Sequence, residues 1–230
     1  MTNRDHLPLH EEVLLLALRD DEGTIASGTM YQYAIAGAIL SELMLQKRIA
    51  VDDSARKKRA EVIDRRPTGA PLLDECLEKM AASKPKGLDH WVGKFAGISG
   101  LKHRVAERLC DRGILHEDEG KILLVFTRRV YPETDPRPEQ EIVERLRRAV
   151  FTDSRDVDPR TVVLVSLADS AGILKVVFDK KELKARKQRI EQVVNGEVMG
   201  KAARDAIQAV QAAVMVAAIM PAIISTTVTH

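Results

Sequence analysis

Positive charge is the chemistry this sequence concentrates. The run RKKRAEVIDRR, Arg56 to Arg66, carries six bases and two acids, and KKELKARKQR, Lys180 to Arg189, carries six bases and one acid. Lys102, His103, Arg104, Arg108 and Arg112 fall within one amphipathic stretch, and Arg128 and Arg129 are adjacent. Such groups hold phosphate, lysine as a point charge and arginine as a planar fork. Near an anionic leaflet each Lys or Arg contributes about 1 kcal/mol. The competing reading is a solvated face laced with ion pairs. Arg104, Glu107, Arg108 and Asp111 have the i, i+3 and i+4 spacing for it. Negative charge gathers at the start, where Arg4 to Glu22 holds two bases and six acids.

Other chemistry is sparse. The sequence has no G-x-G-x-x-G, P-loop or G-x-S-x-G pattern, and Ser99 sits in GISG. His6 and His10 are four apart and precede Glu11 and Glu12, but a metal there needs a third ligand. Surface or helix-capping roles are expected for them. His90 and His103 have no partner visible in the sequence. The acid pairs Asp20-Asp21 and Asp52-Asp53 fall in expected turns, where carboxylates are solvated. Cys76 and Cys110 are too few for a disulfide framework or a cysteine zinc site. Both are expected as small buried residues in a reducing compartment. No catalysis, cofactor or metal is expected.

The elements that must position these residues read mainly as helices. Helices are predicted over 9–18, 31–46, 71–82, 88–95, 101–112 and 138–150. Asp158 caps a further helix with Pro159 at its first position. Its segment 161–171 is apolar almost all round and is expected at the centre. A basic amphipathic helix follows over 183–194, then a small-residue helix over 201–220. Arg48 to Val51 and Ala60 to Ile63 form a hairpin whose charged tip is DDSARKKR. In GILHEDEGKILLVF a strand, an acidic turn at HEDEG and a second strand make another hairpin, which Arg128 and Arg129 follow. The reading gives about eight helices and two small hairpins.

Length and composition agree. The 230 residues, 25.5 kDa, suit a single domain over 1–230 with a proper core. Apolar residues make up 45% and aromatics only 3%, so Leu, Ile, Val and Ala build the core, which favours helices over a sandwich. With 36 basic and 34 acidic residues the net charge is only +2, which excludes a uniformly basic coat. Any anion site is local. The tail AAVMVAAIMPAII lacks a polar residue but is shorter than the about 20 residues a spanning helix needs. Pro221 is expected to break it. A buried core helix is the first reading of this tail; an anchor or oligomer contact is the second.

Several segments, in order, resemble the Golgi phosphoprotein 3 family, including its bacterial members. They are EEVLLLALRDDEG, AGAILSELMLQKRIAV, RRPTGAPLLDECLEKM, KHRVAERLCDRGIL, TRRVYPETDPRPEQEIVERLRRAV and DPRTVVLVSLADSAGIL with AIQAVQAAVMVA. The resemblance implies a single mainly α domain: a central hydrophobic helix bundle, surrounding amphipathic helices and two small hairpins. It implies a non-catalytic adaptor, cytoplasmic and peripheral at the cytosolic membrane face, that binds phosphatidylinositol 4-phosphate. In eukaryotic members the partners include glycosyltransferase tails and coat proteins. There the hairpin matching Leu123 to Pro132 is associated with membrane contact and self-association. The eukaryotic headgroup positions, a Trp and three Arg, fall here on Ser27, Ala36, Ser99 and Lys102. Only Lys102 keeps a positive charge. The expected site is therefore a less specific patch for anionic phospholipid or phosphoinositide, made by Lys102, Arg104, Arg128 and Arg129.

Two alternatives stand beside it. Helix, strand, turn and strand over 101–126 read as a winged helix, with Arg104, Arg108 and Arg112 toward DNA phosphates. The acids of HEDEG at the wing tip would repel DNA, so nucleic acid is not the partner expected. The third reading is a structural, partner-binding protein using the apolar C-terminal helix.

Overall fold

The computed structural model describes residues 7–19, 22–52, 58–122 and 126–227. The chain runs α1 (Leu9–Ala17), β1 (Leu18–Arg19), β2 (Thr24–Ile25), α2 (Tyr31–Leu45), β3 (Ile49–Asp52), β4 (Arg59–Val62) and α3 (Pro71–Ala81). Next come β5 (Lys86–Gly87), α4 (Leu88–Ala96), α5 (Leu101–Asp111), β6 (Asp118–Ile122), β7 (Phe126–Val130) and α6 (Arg137–Phe151). It closes with α7 (Pro159–Ser170), α8 (Leu174–Val177), α9 (Lys180–Ala185), α10 (Lys187–Val194) and α11 (Lys201–Thr227). Three small antiparallel sheets pair β1 with β2, β3 with β4 and β5, and β6 with β7.

The mainly α architecture matches the expectation. α1, α2 and α7 form the centre. Every residue of α1 is buried, as are 34–44 of α2 and 161–168 of α7. Asp158 caps α7 by accepting from the Thr161 N–H, with Pro159 next, as its sequence predicts. Small residues let α2 approach its neighbours. A Cβ on Gly37 would lie 2.8 Å from the Ala217 Cβ and 2.9 Å from a Leu167 methyl. α4 packs on α2 and α11 and buries Trp91, the one tryptophan, against Phe95.

Charge also enters this centre. Glu12 of α1 accepts from Arg145 of α6 at 2.9 Å and lies 3.8 Å from Arg160 of α7. Arg160 pairs with Glu42 of α2 at 2.9 Å and donates to the Leu7 carbonyl. Glu42 also accepts from the Leu9 N–H at 2.8 Å. Glu11 lies 3.4 Å from Arg112, just beyond α5. Glu11 and Glu12 are each 1% exposed, and burial pushes both carboxyls upward against the pull of Arg112 and Arg160 respectively. His10 beside them is as buried, and desolvation lowers it to about 4. The expected surface or capping role for His10 is corrected. The apolar helix carries its first-turn polar residues inward, because arginines of α6 and α7 and the one after α5 reach them there. His6 lies outside the described residues.

Several boundaries also differ. The basic helix expected over 183–194 is two, α9 and α10, broken at Arg186. That side chain turns to donate to the Val150 carbonyl and to Asp153. α8, β5 and the β1–β2 pair were not legible as elements, each being only two to four residues long. HEDEG is not a turn: Asp118 opens β6, and Arg128 and Arg129 lie within β7. The tip between the strands, 123–125, lies outside the described residues, as do 53–57 at the first hairpin's tip. Pro221 does not end the last helix, which runs through it to Thr227. A proline removes one helical hydrogen bond, which a long packed helix tolerates. Cys76 is buried as expected, but Cys110 is only half-buried. Among the described residues no helix is long and apolar enough to cross a membrane.

Two outcomes test this arrangement. Leu164 of α7 is fully buried, so Leu164→Asp strands a charge in the centre and should unfold a domain of about 5–15 kcal/mol total stability. A parent-like melting temperature by circular dichroism would remove α7 from the centre. His10 stays neutral in the folded protein down to about pH 4, whereas the unfolded chain protonates it near 6.5. Its contribution is complete above 6.5 and is lost as pH falls through this window. Glu11 and Glu12, raised by burial, act in the opposite sense. Between pH 7 and 4 the parent should therefore lose more stability than His10→Gln, by on the order of 3 kcal/mol in urea titrations.

Candidate anionic-lipid site

α5 is amphipathic. Leu101, Val105, Ala106 and Leu109 face the core, which turns Lys102, His103 and Glu107 outward. β7 crosses beside this outer face. Val130 pairs with Asp118, Arg129 with Glu119 and Arg128 with Gly120. Tyr131 follows directly and is fully buried. Its hydroxyl shares a 2.7 Å hydrogen bond with His103 Nδ1, and its ring lies under Lys102, whose Nζ is 5.6 Å from the centroid. The turn before β2 props this corner from below. The Tyr131 N–H donates to the Gly23 carbonyl at 2.9 Å. Gly23 has φ +58°, and a Cβ there would sit 2.3 Å from the backbone of Tyr131 and Pro132, so only glycine fits.

The cations of this corner divide by what they touch. Arg129 is spent within the protein, 3.1 Å from Glu107 and 3.6 Å from Glu117. Lys102 is half-buried and Arg128 is exposed, and among the described residues neither makes an ion pair. They lie close enough to repel. Burial first, then the charge of Arg128, holds the Lys102 ammonium below its ordinary range. Glu22 lies near Arg128, but its carboxylate is engaged by the Thr24 hydroxyl at 3.0 Å and by Arg19 at 3.0 Å. His103 is pushed down by burial, then by Lys102 and Arg129, with Glu107 and Glu117 opposing. The corner thus offers two cations without an ion pair, set over a buried phenol that is bonded to an imidazole.

The expected site residues do not all meet. Lys102, Arg128 and Arg129 come together. Arg104 points elsewhere along α5 and pairs with Glu75 of α3, which also accepts from Lys79. Those two hydrogen bonds, Arg104 first, bring the Glu75 carboxyl down to about 2. Ser27 and Ser99 are exposed in connecting segments, and Ala36 is fully buried in α2 and offers no donor. His103 and Tyr131 were missed as members. The signal was available, since His103 adjoins Lys102, and Tyr131 follows Arg129 at the two-residue spacing that places strand residues on one face. Of the other basic clusters, Arg48 and Arg66 both converge on Asp64.

A family model described as Golgi phosphoprotein 3 (GPP34) matches residues 9–210. The chain belongs to this family. Among relatives of this Golgi phosphoprotein 3 family member is the vacuolar protein sorting-associated protein 74 of Eremothecium gossypii. It is 30% identical over 217 residues, 80% of this chain and 65% of the relative. The protein of the same name from Schizosaccharomyces pombe is 26% identical over 219 residues, 81% of this chain and 65% of its own length. The chain therefore covers a little under two thirds of each relative.

Because Glu75 holds Arg104 away from the corner, Arg104→Ala should leave the binding of anionic vesicles unchanged. It should lower stability by about 1 kcal/mol or less, as for a partly exposed pair. Vesicle flotation beside urea denaturation separates the two effects, and a binding loss without a stability loss would return Arg104 to the site.

Proposed function

We propose that this protein is a non-catalytic peripheral adaptor that binds anionic phospholipid at the cytosolic face of a membrane. The headgroup, phosphatidylinositol 4-phosphate by family resemblance, is taken by Lys102, which lies over the Tyr131 ring, and by Arg128. Arg129 acts as the strut that holds β7 to α5. One observation carries the reading: two like charges lie close enough to repel, one of them half-buried, and among the described residues neither makes an ion pair. That arrangement costs free energy in the free protein and is relieved by an anion. Family membership supports the adaptor class. The winged-helix alternative loses ground, since Glu107 on α5 and Glu117, Asp118 and Glu119 at the start of the wing are all exposed acids that would repel DNA. Self-association through the β6–β7 hairpin belongs to the same proposal.

Reversing Lys102 and Arg128 to Glu should weaken flotation with anionic vesicles on the order of tenfold or more. Reversing Lys184 and Lys187 should not. Salt should weaken the parent's binding, since the attraction is screened within about 8 Å at physiological ionic strength. Equal flotation of the parent with neutral and anionic vesicles would sink the reading.

A further inference from the structure

The helix break at Arg186 has sorted the second basic cluster by residue type. The arginines turn inward. Arg186 donates to the Val150 carbonyl at 3.2 Å, and Arg189, 8% exposed, donates to the Ala149 carbonyl at 2.9 Å and to the Ser154 carbonyl at 2.5 Å. These bonds hold α9 and α10 against the end of α6. The lysines are left outside. Lys175, Lys180, Lys184 and Lys187 line a groove of about 490 Å³ between the end of α7, α8, α9 and α10. Its floor is apolar, made by the outer edges of Leu174, Leu183 and Ile190, each less than a tenth exposed.

The charges in this groove do not cancel. Two acids belong to it: Glu191 lies 3.7 Å from Lys187, and Asp169 faces Lys175 and Glu191. Among the described residues Lys180 and Lys184 make no ion pair. A solvated helix face would be convex and laced with pairs. This one is concave, with an oily floor and a surplus of lysine on the rim.

We infer that the groove is a docking site for an acidic peptide segment of a partner protein, one carrying apolar side chains between its acids. The carboxylates meet Lys180 and Lys184, and the apolar side chains rest on Leu174, Leu183 and Ile190. Concavity favours a peptide over a bilayer. A flat headgroup layer meets the lysine tips but leaves the groove unfilled, whereas an extended or helical segment fills it. The size falls within the about 300–1,000 Å³ typical of binding clefts. The inference does not rest on the lipid reading of the α5 corner.

Fluorescence anisotropy with a short labelled peptide of glutamates alternating with leucines tests it on the full chain. The parent should bind this peptide, and the same peptide with lysine for glutamate or serine for leucine should not bind. Lys180→Glu with Lys184→Glu should weaken binding on the order of tenfold or more while leaving flotation with anionic vesicles unchanged. Both positions are exposed, so the variant should keep the parent's circular dichroism. Lys102→Glu with Arg128→Glu should leave the peptide's affinity unchanged. Failure of the parent to bind the peptide overturns the inference, as does equal binding of the serine peptide. If Lys180→Glu with Lys184→Glu loses vesicles but keeps the peptide, the groove belongs to the membrane face and the inference is equally overturned.

Discussion

Everything in this fold leans on two buried carboxylates and the arginines that answer them. Glu12 and Glu42 sit on the facing helices α1 and α2, and Arg145 and Arg160 reach them from α6 and α7. Hydrophobic packing alone is non-directional and leaves such helices free to slide. A buried ion pair is costly to form and costlier to break, so it selects one register rather than adding much stability. Arg160 bonds both Glu42 and the Leu7 carbonyl, and so fixes where the chain enters the bundle. With α1 set, its continuation through β1 and β2 places Gly23, and Gly23 places Tyr131. The α5 corner thus inherits its geometry from charges buried on the far side of α1.

The helical plan was legible because periodicity and capping agree in this sequence. Asp158-Pro159 opened α7 where it said it would, and the unbroken apolar run behind it went to the centre. What sequence could not supply was direction. Glu11 and Glu12 in a first turn look like surface acids favoured by the helix dipole. Only the arginines arriving from elements more than 100 residues away make their burial tolerable. The same blindness split the site. Arg104 and Lys102 are two apart on one helix, so they diverge, and nothing local announces that Glu75 waits on the side Arg104 takes. The hairpin was found but shifted, because HEDEG has the composition of a turn while cross-strand pairing with Val130 and Arg129 makes Asp118 and Glu119 strand.

The molecule also separates its cations by task. Arginines, with forked donors, are used up in structure: Arg104, Arg129, Arg145, Arg160, Arg186 and Arg189 all serve carboxylates or backbone carbonyls. Most of the cations left unspent are lysines, whose compact charge tolerates partners of varied shape. A few arginines are left over as well, and one of them, Arg128, stands at the corner proposed to meet a headgroup. A near-neutral chain can thereby present two small positive surfaces without becoming a general binder of polyanions.

The scarcity of aromatic residues has an optical consequence. Trp91 is the single indole, 1% exposed, clasped by α2 and α11 and stacked near Phe95. Its emission therefore reports on one junction only, where the C-terminal helix seats against the bundle. Detachment of that helix would register as a red shift of the indole emission, to which the α5 corner and the lysine groove contribute nothing. The protein carries its own site-specific probe for the one helix that leaves Met215 and Ile219 facing solvent.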